Sequence, residues 1–184
     1  MKVFPLAPLS TLFLAALAPN AGAQGADLCV FAQPITATGA FPVDTSLAAT
    51  DGPANGCGEN GQIHNDVWFR WTSTVSGTVQ MDTCAAATFD TTVAVYPDES
   101  CATAAPIVCN DDQCALRSRV AFTAVAGVDY LVRVGGWNDV ARGTATLTIS
   151  SVTGVSNDTC ANPAPITGFG VFPTLHFLHW TVSL

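Results

Sequence analysis

Apolar and polar residues alternate through most of the middle of the chain. Val67-Trp68-Phe69-Arg70-Trp71-Thr72, Thr78-Val79-Gln80-Met81-Asp82-Thr83 and Thr91-Thr92-Val93-Ala94-Val95-Tyr96 follow a period of two. Ser118-Arg119-Val120-Ala121-Phe122-Thr123, Val128-Asp129-Tyr130-Leu131-Val132-Arg133-Val134 and Thr144-Ala145-Thr146-Leu147-Thr148-Ile149 do the same. Period two with many β-branched residues predicts half-buried strands. The separators are turn chemistry: Ser76-Gly77, Pro97-Asp98, Asn110-Asp111-Asp112, Ala126-Gly127, Gly135-Gly136 and Arg142-Gly143. No stretch of ten or more residues has a convincing amphipathic helical period. Short, regularly spaced strands without helical interludes predict an all-β fold, a jelly-roll-like antiparallel β-sandwich stapled by disulfides. Val79, Met81, Val93, Val95, Val120, Phe122, Tyr130, Val132, Leu147 and Ile149 are expected between the sheets. The Thr, Arg and Asp residues of opposite parity are expected in water. Trp68 and Trp71 have opposite parity, so one belongs to the core and the other is a candidate exposed aromatic.

Two features outside the strands organise the chain. Met1-Lys2, an apolar run from Val3 to Ala18 and the small residues Ala21-Gly22-Ala23 read as a secretory signal over residues 1–23, cleaved after Ala23. The run carries Pro5 and Pro8 and is short for a membrane span. A spacing of 131 then separates Asp27 from Asp158, Cys29 from Cys160, Pro34 from Pro165, Gly39 from Gly170 and Pro42 from Pro173. Residues 24–156 are therefore expected to be one sandwich domain, and residues 157–184 the truncated start of a second repeat. After Phe172-Pro173 the register is lost and His176, Phe177, Leu178, His179 and Trp180 follow. Such a fragment cannot bury a core and is not expected to form a domain.

Charge narrows the partners. The chain has 184 residues, 49% of them apolar and 11% charged. Lys2 falls in the leader, so five Arg oppose fourteen Asp and Glu in the exported part, a net charge of −9. This excludes nucleic acid or anionic lipid as a partner held by a basic patch. No membrane insertion is expected after signal cleavage.

All seven Cys (29, 57, 84, 101, 109, 114 and 160) follow the leader, as a disulfide framework requires. Zinc is the weaker reading, because Cys109 and Cys114 form the only close pair and no His neighbours them. Six Cys in one repeat allow fifteen pairings. Cys160 repeats Cys29, whereas a mate for Cys57 would fall at position 188, past the last residue. That favours Cys29–Cys57, with Cys109–Cys114 across a short turn and Cys84–Cys101 by elimination. Cys160 is then a free thiol.

Several phrases occur in a characteristic order: Asn65-Asp66-Val67-Trp68-Phe69-Arg70-Trp71, Ser76-Gly77-Thr78-Val79, Asp82-Thr83-Cys84, Phe89-Asp90-Thr91 and Cys109-Asn110-Asp111-Asp112. Ala126-Gly127-Val128-Asp129-Tyr130 through Gly136 closes the set. Together they resemble the bacterial pre-peptidase C-terminal domain, in its disulfide-bearing tandem form from large secreted proteins. The resemblance covers residues 27–150. It implies a jelly-roll sandwich with an accessory role in secretion, adhesion or calcium-assisted binding rather than catalysis.

Catalytic chemistry finds little support in the residues. His64 is the only candidate base in the complete repeat, and neither a Gly-x-Ser-x-Gly elbow nor a His-Glu-x-x-His helix occurs. Asn110, Asp111 and Asp112 put several hard oxygens on one turn, and Asp90 is expected at the same end. These four are the candidate calcium ligands, against a plain turn as the simpler reading. No cofactor is required. Trp137, in the loop after Gly135-Gly136, and Arg70 are the candidate ligand-binding residues. The leading function is a non-enzymatic exported module that binds an extracellular polysaccharide or protein, next to neighbouring repeats. A ligand-free structural spacer is the alternative, and a secreted hydrolase a weaker one.

Overall fold

The computed structural model describes residues 24–98, 101 and 105–152. The expected leader (1–23), the second repeat (157–184) and Cys160 lie outside the described residues. Nine strands and two single 3₁₀ turns are described, with no α-helix. The strands are β1 (Gln33–Ile35), β2 (Gly39–Asp44), β3 (His64–Thr72), β4 (Gly77–Asp82) and β5 (Thr91–Pro97). They continue as β6 (Val108–Asn110), β7 (Arg119–Ala124), β8 (Asp129–Gly136) and β9 (Thr144–Ser151).

The strands form two sheets, β1-β3-β8-β5-β6 and β2-β9-β4-β7. All pairings are antiparallel except β1 with β3. Apart from β5 to β6, every connection carries the chain from one sheet to the other. This alternation is what the jelly-roll expectation requires, and the fold is an all-β sandwich. The strands missed by the alternation rule are the irregular ones. β2 contains Pro42 and sits at a sheet edge, where a missing N–H is tolerated. β1 and β6 have three residues each, too few to show a period.

The inter-sheet core follows side-chain parity. All ten residues expected there are buried in one cluster. Trp71, Phe122 and Tyr130 form its aromatic end, with Phe122 edge-on to Tyr130 at 5.1 Å and to Trp71 at 6.4 Å. Their polar atoms are satisfied locally. Trp71 Nε1 donates to the Ala37 carbonyl at 3.1 Å, and Tyr130 Oη accepts from the Val125 N–H at 3.0 Å. Each fully buried large side chain contributes roughly 1.5–3 kcal/mol to holding the sheets together.

The outer face of the five-stranded sheet departs from expectation. Trp68, Leu131 and Arg133 have the parity of a solvent face, yet all three have 0% exposure. The segment between β2 and β3 lies over them. It forms a second cluster with Ile63, Trp68, Ala94, Tyr96 and Leu131, against which Cys29, Ala32 and Cys109 pack. Neither Trp68 nor Trp71 is therefore an exposed binding aromatic. The Arg133 guanidinium anchors the cover: it donates to both Asp66 carboxylate oxygens at 2.9 and 3.0 Å, and to the carbonyls of Pro53 and Ile63, each at 2.8 Å. It also lies over the Trp68 ring, 5.2 Å from its centroid. Gly52 is required by this contact, because a Cβ there would run into the guanidinium. The Asp66 carboxyl reaches its partner through a bulge in β3 between His64 and Val67.

The disulfide pairing corrects the sequence expectation. Cys57 joins Cys109 and Cys84 joins Cys114, while Cys29 and Cys101 are thiols. Cys109–Cys114 does not form because β6 holds Cys109 beside Ala94, on the covered outer face, where it meets Cys57 of the cover. Cys114 instead reaches across to Cys84, just past the end of β4 in the other sheet. Cys84–Cys101 is ruled out by β5. Its seven residues separate the two cysteines by about 20 Å of extended chain. Cys29–Cys57 fails because Cys57 is taken by β6. Two disulfides, one on the covered outer face and one between end loops, suit an exported protein in an oxidising compartment.

Candidate functional site

One end of the sandwich gathers the loops that carry the polar candidates. β4 ends there at Asp82, β5 begins at Thr91, β7 begins at Arg119, β8 ends at Gly136 and β9 begins at Thr144. The 84–90 and 111–118 loops are tied by Cys84–Cys114 and by a buried hydroxyl cluster. Thr83 Oγ1 and Thr91 Oγ1 are 2.7 Å apart, and both accept from the Ser118 N–H at 3.1 Å. Ser118 Oγ donates to the Thr91 carbonyl at 2.6 Å and to the Asp111 carbonyl at 3.1 Å. Arg117 closes the set by donating to the carbonyls of Cys84 (3.4 Å) and Ala87 (3.1 Å). Buried hydrogen-bond clusters of this kind fix loop geometry when every member is satisfied.

Between these two loops lies a shallow open cleft of about 320 Å³, lined by Ala87 to Asp90 and Ala115 to Arg117. Phe89 packs against the inter-sheet core, while Leu116 is 60% exposed. Ala115 adopts a left-handed φ of 57°, a conformation that costs a β-carbon residue about 1–2 kcal/mol. Backbone strain of this sort is concentrated at binding loops in folded proteins. Asp90 supplies the polar group. Its Oδ1 is buried and finds no hydrogen-bond partner among the described residues. Burial pushes its carboxyl above the usual aspartate range, and the charges of Asp112 and Asp111 push it further in the same direction.

The candidate residues thus divide between two places. Asp90, Asp111 and Asp112 interact electrostatically at the loop end. Asn110 ends β6 beside them, and its Oδ1 accepts from the Arg119 N–H at 3.2 Å. Trp137 joins this end through its backbone: its N–H donates to the Asp90 carbonyl at 3.2 Å and its carbonyl accepts from Glu59 at 2.7 Å. The Trp137 side chain is half-buried. Arg70 is elsewhere. It lies six residues, about 20 Å, along β3 from His64, and its Nε is paired with Asp98 Oδ1 at 3.2 Å. Among the described residues no group of three or more His, Cys, Asp or Glu is placed to hold a metal ion.

Sequence reasoning passed over several residues of this end. Phe89 and Leu116 offer no periodic signal, because each sits in a loop. Asn65 was visible only as part of a phrase. It takes a left-handed φ of 48°, which Asn tolerates better than most residues. Its Nδ2 donates to the carbonyls of Asp139 (3.0 Å) and Ala141 (3.2 Å), holding the loop that begins at Trp137. The usable clue was the pair of cysteines, Cys84 and Cys114, flanking the two walls of the cleft.

These observations define a disulfide-stapled β-sandwich with a loop-built cleft at one end. Residues 26–149 match the family model of the T9SS-associated galactose binding domain-like family, and the chain belongs to that family. Among solved structures it is similar to the pre-peptidase C-terminal domain of a collagenase from Bacillus anthracis. The TM-score is 0.44 at 9% identity, over 64% of this chain and 93% of that one. It is also similar to PliG of Aeromonas hydrophila, a periplasmic inhibitor of g-type lysozyme. There the TM-score is 0.37 at 11% identity, over 64% of this chain and 96% of that one. No curated protein matches the chain.

Proposed function

We propose that residues 24–156 are a non-enzymatic exported binding module whose loop end engages a neutral, hydroxyl-rich extracellular saccharide. The observation that carries this reading is the unpartnered Asp90 oxygen on the wall of the cleft. A buried acceptor without a donor costs about 1–3 kcal/mol, and a ligand hydroxyl recovers it once the Asp90 side chain turns Oδ1 toward the cleft. Phe89 and Leu116 provide the apolar surface on which the C–H face of a sugar packs. Asp111 and Asp112 beside Asp90 disfavour an anionic ligand. The description of the family as galactose binding domain-like agrees in ligand class. Calcium is not needed for this recognition, and bond cleavage is not part of it.

A glycan array probed with the full exported protein tests the proposal. Neutral glycans should be retained, acidic ones should not, and Asp90→Ala should lose at least tenfold in affinity, about 1.4 kcal/mol. Equal binding by Asp90→Ala, or no glycan retained, would reject it. The spacer reading is favoured by one observation, the 131-residue sequence register between Cys29 and Cys160. It predicts an array without signal.

A further inference from the structure

The two disulfides use four of the six cysteines between residues 24 and 152, leaving Cys29 and Cys101 as thiols. These two residues are far apart in sequence but adjacent in space, and their side chains share a hydrogen bond. The fold brings them together from opposite directions. Cys29 opens the 3₁₀ turn Cys29–Phe31, directly after Ala26 bridges to Trp68 of β3, and it packs on the outer-face cluster. Cys101 follows β5, beyond Asp98, whose carboxylate is held by Arg70 of β3. Arg70 also lies close enough to act electrostatically on Cys29. The Arg70–Asp98 pair thus holds the chain leaving β5 over the strand against which the amino-terminal turn is docked. Neither cysteine lies within a paired strand, so linking them does not work against a β-ladder.

We propose that Cys29 and Cys101 are joined as a third disulfide in the exported protein, fastening the amino-terminal arm to the connection that follows β5. The two thiols lose two protons and two electrons, and one S–S bond forms. The electrons pass by thiol–disulfide exchange to a disulfide-bearing oxidant of the export compartment, which leaves as the dithiol. The link is structural rather than a reactive redox pair. Burial pushes the Cys29 thiol well up, so it carries little of the thiolate that reactive cysteines need. Arg70, a candidate ligand contact in the sequence, is then part of the scaffold that presents the two sulfurs.

The full exported protein, alkylated without reduction and digested with pepsin at low pH, tests this by mass spectrometry. The expected product is a peptide pair joining Cys29 to Cys101, with neither residue alkylated. Alkylated Cys29 and Cys101 in separate peptides would overturn the proposal, as would a link from either one to any other cysteine. The Cys29→Ser and Cys101→Ser variants add a second readout. Each should lower the Tm, and the double variant should lower it no further than either single one. Additive losses would mean that the two residues act independently.

Discussion

The buried ion pair under the covering segment gives the sharpest stability prediction. Replacing Arg133 by Met keeps much of the side-chain volume but leaves the Asp66 carboxylate without its cation, and the Pro53 and Ile63 carbonyls without a donor. Removing one partner of such a pair costs about 3–5 kcal/mol. The carboxyl can escape by taking up a proton, which sets a ceiling. Holding a proton at pH 7 costs about 1.4 kcal/mol for each pH unit above the free aspartate value of 3.8, or about 4 kcal/mol. Burial already pushes Asp66 above that value even with Arg133 present. A group whose folded pKa is raised opposes folding more strongly as pH rises through that pKa, and not at all well below the unfolded value. Arg133→Met should therefore lose up to about 4 kcal/mol at pH 7 and recover most of it by pH 4, at no more than about 1.4 kcal/mol per unit. Urea unfolding at several pH values, with the m-value checked for constancy, measures this. A loss under about 1 kcal/mol at pH 7, or a loss that does not change with pH, would refute the reasoning.

Three further predictions concern the loop end and the cysteines. Asp90→Asn removes a carboxylate that burial and Asp112 make unfavourable, so it should gain up to about 1 kcal/mol at pH 7 and nothing at pH 3.5, measured by thermal unfolding; a loss of stability at pH 7 would show that the charge is satisfied. Calcium raised to about 5 mM, above the working range of weak extracellular sites, should leave the Tm unchanged, whereas a rise of several degrees would mean that Asp90, Asp111 and Asp112 converge on an ion. Thiol labelling of the unreduced exported protein should modify one cysteine, Cys160, and three modified cysteines would mean that Cys29 and Cys101 remain thiols.

What was legible in the sequence was local. Val79 and Met81, or Val120 and Phe122, declare their face by alternating with Thr78, Gln80 and Ala121, and a sandwich core needs no more information than that. The outer face was illegible because its burial is imposed from far along the chain. Nothing near Arg133 announces that Gly52 and Pro53 will lie against it, and the Gly- and Pro-containing cover has no period of its own. The disulfides failed for the same reason. Cys109 and Cys114 are close in sequence, but a strand end separates their directions, so each finds a partner more than 25 residues away. The grouping of Asp90 with the Asp111-Asp112 turn could be anticipated from strand order, since both flank strands that pair as β5 and β6. The cleft itself could not, because Phe89 and Leu116 come from separate loops whose approach depends on Thr83, Thr91 and Ser118.

Asp90 joins the stability and binding arguments. Burial opposes its charged form, and its Oδ1 meets no donor among the described residues, which is the feature the proposed binding uses. The most direct measurement is a titration of the ¹⁵N-labelled exported protein with D-galactose, followed by amide chemical shifts. The account predicts saturable shifts at Phe89, Asp90, Ala115 and Leu116, with Arg70 and its neighbours unmoved. Shifts confined to the Arg70 end, or no saturable shift anywhere up to about 50 mM, well above the millimolar affinities of weak contacts, would contradict it.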